Sequence, residues 1–194
     1  MRYEISQKAK LPTRFGDFLT MCFCEYTLEN IALEHLVVWT SHLGETPLVR
    51  IHSECLTGDV FGSKKCDCGN ELTLAMEQIA KNGDGGMLIY LRQEGRGIGL
   101  FNKINAYALQ DDGYDTVEAN HKLGFESDLR GYEIVGEIFK YFNITSINLL
   151  TNNPQKIQAI QNFAQVIRHS IIVPSNPYNQ DYLKVKKQKL GHLL

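Results

Sequence analysis

The amino-acid sequence predicts an α/β fold with α+β character in its N-terminal half: a mixed sheet flanked by helices, in a single domain over residues 1–194. Three observations carry this. Segments of β-forming composition crowd the first part of the chain. Near Gly69 the hydrophobic period lengthens from about two residues to about 3.6. Strands and helices then alternate, the pattern of a sheet with a largely parallel segment.

In order, "FLTMCFCEY" and "HLVVWT" are predicted strands, and "PLVRIHSE" a third after a turn around Gly44. In "GNELTLAMEQIAKNG", Leu72, Ala75, Met76, Ile79 and Ala80 share one helical face, and Gly83 suits the position just past its end. "GGMLIYLRQEG" reads as a buried strand and "IGLFNKINAYALQDDG" as a helix ending at Gly113. "YEIVGEIFKYFNI" (helix), "SINLLT" (strand), "NPQKIQAIQNFA" (helix), "QVIRHSIIV" (strand) and "YLKVKKQKLG" (short helix) complete the order. No internal repeat, low-complexity tract or linker interrupts it.

Composition narrows the function. The chain is 43% hydrophobic and 22% charged, with five prolines, and no apolar run approaches the roughly 20 residues that cross a membrane. The first residues lack the apolar stretch of a secretion signal, so the expected location is cytoplasmic. There, cysteines serve more often as metal ligands or catalytic groups than as disulfides. A net charge of −2 excludes a broad electrostatic grip on nucleic acid. An anionic ligand needs a local set of cations, and Arg50, Lys64, Lys65, Arg92, Arg96, Lys103, Arg130 and Lys156 are the candidates.

"HSECLTGDVFGSKKCDCGNEL" holds three of the five cysteines, Cys55, Cys66 and Cys68. Thiolates are soft ligands suited to tetrahedral zinc, and three of them leave one position for water, the pattern of a catalytic site. Three thiolates also leave the centre at net −1, so nearby cations are needed to restore its acidity; Lys64 and Lys65 are near in sequence. Two plainer readings compete. The cysteines can pack as small hydrophobes, although "KKCDCG" is polar for a core strand. Alternatively, Cys22, Cys24 or a histidine supplies a fourth ligand to a structural site; Cys22 and Cys24 share one face of their strand, where packing is the favoured role. Alternation sends Arg50, His52 and Glu54 to one face, lining either a pocket or the solvated side of an edge strand; the position beside Cys55 favours the pocket.

Two strand-to-helix turns suit anions. "MLIYLRQEGRGIGL" places Arg92, Glu94 and Arg96 at a strand's C-terminal end, with glycines at 95, 97 and 99. It matches neither the dinucleotide fingerprint nor the P-loop. In "LLTNNPQKI", Asn153 suits a helix N-cap and Pro154 the first helical position. Lys156 in that first turn opposes the helix dipole, a conflict a bound phosphate would relieve. Asp128 and Arg130 form either a local ion pair or a catalytic pair.

Together "RIHSECLTGDVFGSKKCDCG", "LRQEGRGIGLFNKINAYALQDDGYDTVEAN" and "LLTNNPQKI", in this order over nearly the whole chain, resemble GTP cyclohydrolase II in its stand-alone form, the first enzyme of riboflavin synthesis. The resemblance implies zinc on Cys55, Cys66 and Cys68, whose water attacks C8 of guanine, with release of formate and pyrophosphate and formation of a diaminopyrimidinone ribosyl phosphate. It implies GTP binding by Arg50, Ile51, His52, Ser53, Glu54, Glu94, Gly95, Arg96, Thr116, Thr151 and Lys156, and magnesium with the triphosphate. It makes Asp128 a proton acceptor, Arg130 a nucleophile towards the α-phosphorus and Tyr107 a neighbour of the reacting ring. A homodimer is expected, with no nucleic acid or membrane partner. A guanidinium lacks a free lone pair at neutral pH, so Arg130 is better read as a phosphate clamp oriented by Asp128. Relatives commonly carry Arg and Gln where this chain has Lys65 and Glu71.

A zinc nucleobase deaminase shares His52-Ser53-Glu54 but requires a Pro-Cys-x-x-Cys that is absent here. A zinc-stabilised nucleotide-binding module without turnover would keep the cysteines and make Asp128 and Tyr107 dispensable.

Overall fold

All eight strands among the described residues join one mixed sheet. The computed structural model describes residues 1–126 and 128–193. The strands are β1 (Arg2–Ile5), β2 (Ala9–Thr13), β3 (Gly16–Tyr26), β4 (Ala32–Leu43), β5 (Leu48–Ser53), β6 (Gly85–Leu91), β7 (Ser146–Leu150) and β8 (Gln165–His169). The helices are α1 (Leu56–Asp59), α2 (Cys68–Lys81), α3 (Gly99–Asp111), α4 (Thr116–Lys122), α5 (Glu133–Phe142), α6 (Pro154–Ile160) and α7 (Gln180–Gln188).

The predicted mixed sheet is present. The strand order is β1-β3-β4-β6-β5-β7-β8, with β2 also paired to β3; the β1–β3, β2–β3, β3–β4 and β4–β6 pairs are antiparallel, and the β5–β7 and β7–β8 pairs parallel. The chain divides into two compact units: residues 1–52, 73–92 and 131–171 in the first, and 53–72, 93–130 and 172–194 in the second.

The first unit holds the sheet and the main core. Residues two apart on neighbouring strands converge there: Met21 and Phe23, Val37 and Trp39, Val49 and Ile51, Met87, Ile89 and Leu91, Ile147 and Leu149. Ile134, Val135, Ile138 and Phe139 of α5 join the same core on one helical stripe. Each such side chain, fully buried, stabilises by about 1.5–3 kcal/mol. On β5, residues 48–52 are all buried. It is an interior strand, which removes the solvated-edge reading of Arg50 and His52.

The second unit is built from α1, α3, α4, α7 and the loops between them, with the opening turn of α2. A 3-10 turn at Glu94–Gly97 leads into α3, and both Gly95 and Arg96 are left-handed there, each at φ 61°. For a non-glycine residue such as Arg96 this is a strained conformation, held by surrounding contacts. Leu129 N donates to Arg96 O at 3.0 Å.

Three local readings change. Gly83 does not adopt the left-handed conformation; Gly85 does, at φ 68°, and its N–H closes the turn onto Asn82 O at 3.0 Å. The helix begun at Pro154 stops at Ile160, before the predicted "QNFA". Helix α4 went unpredicted, although "DTVE" writes its capping box: Asp115 Oδ1 accepts from Val117 N and Glu118 N, and Glu118 Oε2 accepts from Asp115 N.

Candidate metal centre and anion-binding residues

The second unit gathers the three thiols. Cys55 precedes α1, Cys68 opens α2, and Cys66 stands between the two helices. The sulfurs of Cys55, Cys66 and Cys68 all lie within 4.8 Å of one another, with Cys55 Sγ to Cys66 Sγ at 3.7 Å. Tetrahedral zinc with bonds of about 2.3 Å separates its sulfurs by about 3.8 Å, so this donor set fits such a metal. Among the described residues it is the one group of metal-competent side chains found, and Cys22 and Cys24 of β3 are not in it. Gly58 makes the cluster possible. A Cβ there would stand 2.8 Å from Cys66 Sγ and 3.1 Å from Cys55 Sγ, so any side chain would push into the sulfurs.

Lys103, from α3, supplies the compensating cation. Its buried Nζ donates to Cys55 Sγ at 3.1 Å and to Glu94 Oε1 at 2.7 Å. Glu94 is itself pinned, accepting from Leu56 N at 2.7 Å and Gly95 N at 2.8 Å. Burial pulls the Lys103 ammonium down, but Glu94 and the Cys55 sulfur more than reverse this and hold it above the ordinary lysine value. Without a metal the thiols share charge unequally. Hydrogen bonds from Cys66 and Cys68, with help from Lys103, hold Cys55 far below the ordinary thiol value. Cys66 is pushed up to about 12 and Cys68 is also raised, in both cases chiefly by the contact with Cys55. A divalent cation must therefore displace protons from this cluster as it binds.

Lys64 and Lys65 are engaged with other partners. Lys65 Nζ pairs with Asp111 at 2.5 Å, and Lys64 Nζ lies 5.9 Å from the centre of the Tyr178 ring. Nearness in sequence was the wrong guide. Tyr107 reaches the cluster's flank: its Oη lies 3.2 Å from Thr57 Oγ1, which is 3.8 Å from Cys55 Sγ. Burial raises the Tyr107 phenol, so it remains protonated at neutral pH.

Asp128 and Arg130 form a two-pronged ion pair. Arg130 Nε donates to Asp128 Oδ1 at 2.8 Å and Nη2 to Oδ2 at 2.5 Å, while Nη1 reaches Ser53 Oγ at 3.3 Å. Burial works to raise the Asp128 carboxyl, but the bonds and charge of Arg130, with the charge of Arg96, leave it below the ordinary value. It is an ionised carboxylate of weakened basicity. Thr116, half-buried, opens α4 directly after its Asp115 cap.

The first unit carries a different set. Arg50 Nη1 donates to Leu150 O at 3.0 Å, and the His52 ring stacks on Tyr90 with centroids 5.5 Å apart. After β7, Asn153 caps α6 as expected: its Oδ1 accepts from Gln155 N and Lys156 N, with Pro154 at the first helical position. Thr151 Oγ1 steadies the turn by accepting from Asn153 N at 3.1 Å. Lys156 is buried, donates to Ile51 O at 2.7 Å and lies 5.8 Å from the Tyr132 ring centre. That carbonyl, rather than a ligand alone, accounts for a cation in the first helical turn.

Comparison with known proteins decides the family. The family model described as GTP cyclohydrolase II matches residues 4–171. GTP cyclohydrolase-2 of Helicobacter hepaticus is 78% identical over 194 residues, covering all of both chains. GTP cyclohydrolase-2 of Helicobacter pylori strain Shi470 is 59% identical over 193 residues, covering 100% of this chain and 99% of its own. The chain belongs to the GTP cyclohydrolase II family. It is also 48% identical over 195 residues to riboflavin biosynthesis protein RibBA of Staphylococcus saprophyticus, all of this chain matching 48% of that longer protein. The family catalyses the first step of riboflavin biosynthesis.

Within this family member, Ser53, Glu54, Glu94, Gly95, Arg96, Tyr107, Thr116, Asp128 and Arg130 belong to the same unit as the thiols, and Arg50, Ile51, His52, Thr151 and Lys156 to the sheet unit. Glu71, the departure from the common Gln, is buried in the first turn of α2, with Lys186 Nζ 4.0 Å from its Oε1. Sequence reasoning numbered Lys103 among the cations without placing it on a ligand. Its spacing of four from Tyr107, on one face of α3, was the available signal. No helix is long and apolar enough to cross a membrane among the described residues.

Proposed function

We propose that this chain hydrolyses GTP, opening the imidazole ring of guanine at C8 and releasing formate and pyrophosphate. The observation that carries the reading is the three-thiol cluster with a buried lysine donating to one of its sulfurs. Cys55, Cys66 and Cys68 would hold zinc, which when bound supplies Lewis acidity for activating water towards the ring carbon. Lys103, fixed on Glu94, offsets the excess negative charge of three thiolates. Gly58 keeps the sulfurs accessible to one another.

The remaining residues take the following roles. Tyr107 lies beside the reacting ring as a neutral phenol able to donate or accept a hydrogen bond. Arg130 clamps the α-phosphate and stabilises charge developing there as pyrophosphate leaves, with Asp128 aiming its guanidinium. With both Asp128 oxygens taken by Arg130, orientation fits that carboxylate better than proton transfer. In the first unit Arg50, Ile51, His52, Thr151 and Lys156 bind GTP; in the second Ser53, Glu54, Gly95, Arg96 and Thr116 do so. Glu94 serves through its hold on Lys103, Leu56 and Gly95. Magnesium accompanies the triphosphate. Residues 1–194 form one catalytic domain, in a cytoplasmic homodimer.

The test is a product analysis of the zinc-loaded protein with GTP and magnesium. Formate and pyrophosphate in equal amounts are expected. Ammonia without formate would indicate a deaminase, and no product would indicate a binding module; either refutes the proposal.

A further inference from the structure

The Cys66-Asp67-Cys68 triplet carries a carboxylate between two sulfur ligands, and that carboxylate is almost wholly buried, at 2% exposure. The proposed chemistry gives it no role. A buried anion beside a cluster of thiols is costly unless a cation meets it. That cation comes from α7, 119 positions later in the chain. Lys186 Nζ donates to Asp67 Oδ1 at 2.7 Å and to Oδ2 at 2.8 Å, and is itself only 7% exposed. The same helix makes a second attachment at its start. Asn179, with no exposed surface, receives Asn176 N on its Oδ1 at 2.8 Å and extends its Nδ2 towards Cys66 O, a long bond of 3.5 Å. The two ends of α7 thus grip the triplet at consecutive residues, one by charge and one through the main chain.

We infer that α7 is a strap on the metal-binding triplet and that Lys186 is a positioning residue for the metal, acting through Asp67. The inference rests on the metal centre of the preceding reading. Lys186 cancels the Asp67 charge, and Asn179 tethers the Cys66 carbonyl, so the two sulfurs of the triplet present a fixed spacing to the cation. Without the strap, an uncompensated carboxylate repels the thiolates and the triplet loses its preset geometry. Partners that orient metal ligands are worth roughly 10- to 100-fold in metal affinity.

The experiment compares zinc loss from the full-length chain to the chelator 4-(2-pyridylazo)resorcinol, alongside absorption spectra of the cobalt-substituted proteins. Lys186→Met should release zinc roughly 10- to 100-fold faster and broaden the cobalt bands, while Lys186→Arg, which can still pair with Asp67, should stay within about threefold of the parent. Adding Asp67→Asn to Lys186→Met removes the stranded charge and should recover most of the loss; this double variant also stands in if Lys186→Met fails to fold. Zinc retention by Lys186→Met equal to the parent's, or a folded double variant that loses zinc more than about tenfold faster than the parent, overturns the strap. A parent chain that takes up no zinc overturns the metal centre itself.

Discussion

Buried cations occur in both units of the molecule, but different partners hold them. In the thiol-bearing unit, Lys103 sits on Glu94 and Lys186 on Asp67. In the sheet unit, Lys156 and Arg50 donate to the main-chain carbonyls of Ile51 and Leu150. A carboxylate fixes a cation and cancels its charge; a main-chain carbonyl fixes the cation's position through a partial negative charge. The first arrangement suits cations that tune a permanent cluster of thiolates. The second ties the position of a cation to the main chain of the sheet unit.

Substitutions that break this contrast should rank in a definite order. Cys66→Ser should abolish formate release, because two thiolates no longer hold the metal, while circular dichroism stays that of a folded chain. Loss of the folded signal would mean that the metal is structural. Gly58→Ala should nearly match it, with metal content falling as the new methyl meets the sulfurs. Lys103→Met comes next. It leaves the buried Glu94 without its cation and Cys55 without the lysine donor, so kcat should fall roughly 10- to 100-fold with the KM for GTP little changed.

Lys156→Ala tests the other side of the comparison. It should weaken GTP by roughly 1.5–3 kcal/mol, the scale of a hydrogen bond to a charged group, and guanosine far less. Equal weakening of both would show that Lys156 only supports the Ile51 carbonyl. The smallest effect is one of pH. Asp128 is held below its ordinary value of 3.8, so below that value the unfolded chain binds the proton more readily. The stability contributed by the Asp128–Arg130 pair is therefore fully present above about pH 4 and is lost as pH falls through the folded value. Asp128→Asn should unfold more easily than the parent at about pH 6, and the difference should shrink in urea titrations below about pH 3.5.

Much of this was legible in the residues. The strands and helices that hold the core announced themselves by period, from Ala75, Met76 and Ile79 on α2 to Ile134, Val135 and Ile138 on α5. Asn153 and Pro154 wrote the start of α6. The three cysteines declared a metal-competent cluster because thiols at that spacing, in a polar stretch, have few other uses. What escaped was set by distance along the chain. Lys103 lies 48 positions from Cys55 and Lys186 lies 119 from Asp67, and no local pattern links such partners. The interior position of β5 escaped for the same reason: Arg50 and His52 alternate as an edge strand would, and only its pairing with β7 and its burial reveal otherwise.

The central claim is a three-sulfur metal centre with one position left for chemistry. Zinc K-edge X-ray absorption on the zinc-loaded chain tests it most directly. The bound zinc should show three sulfur neighbours at about 2.3 Å and a single light atom. Four sulfurs, or a fourth position filled by an imidazole, would contradict it.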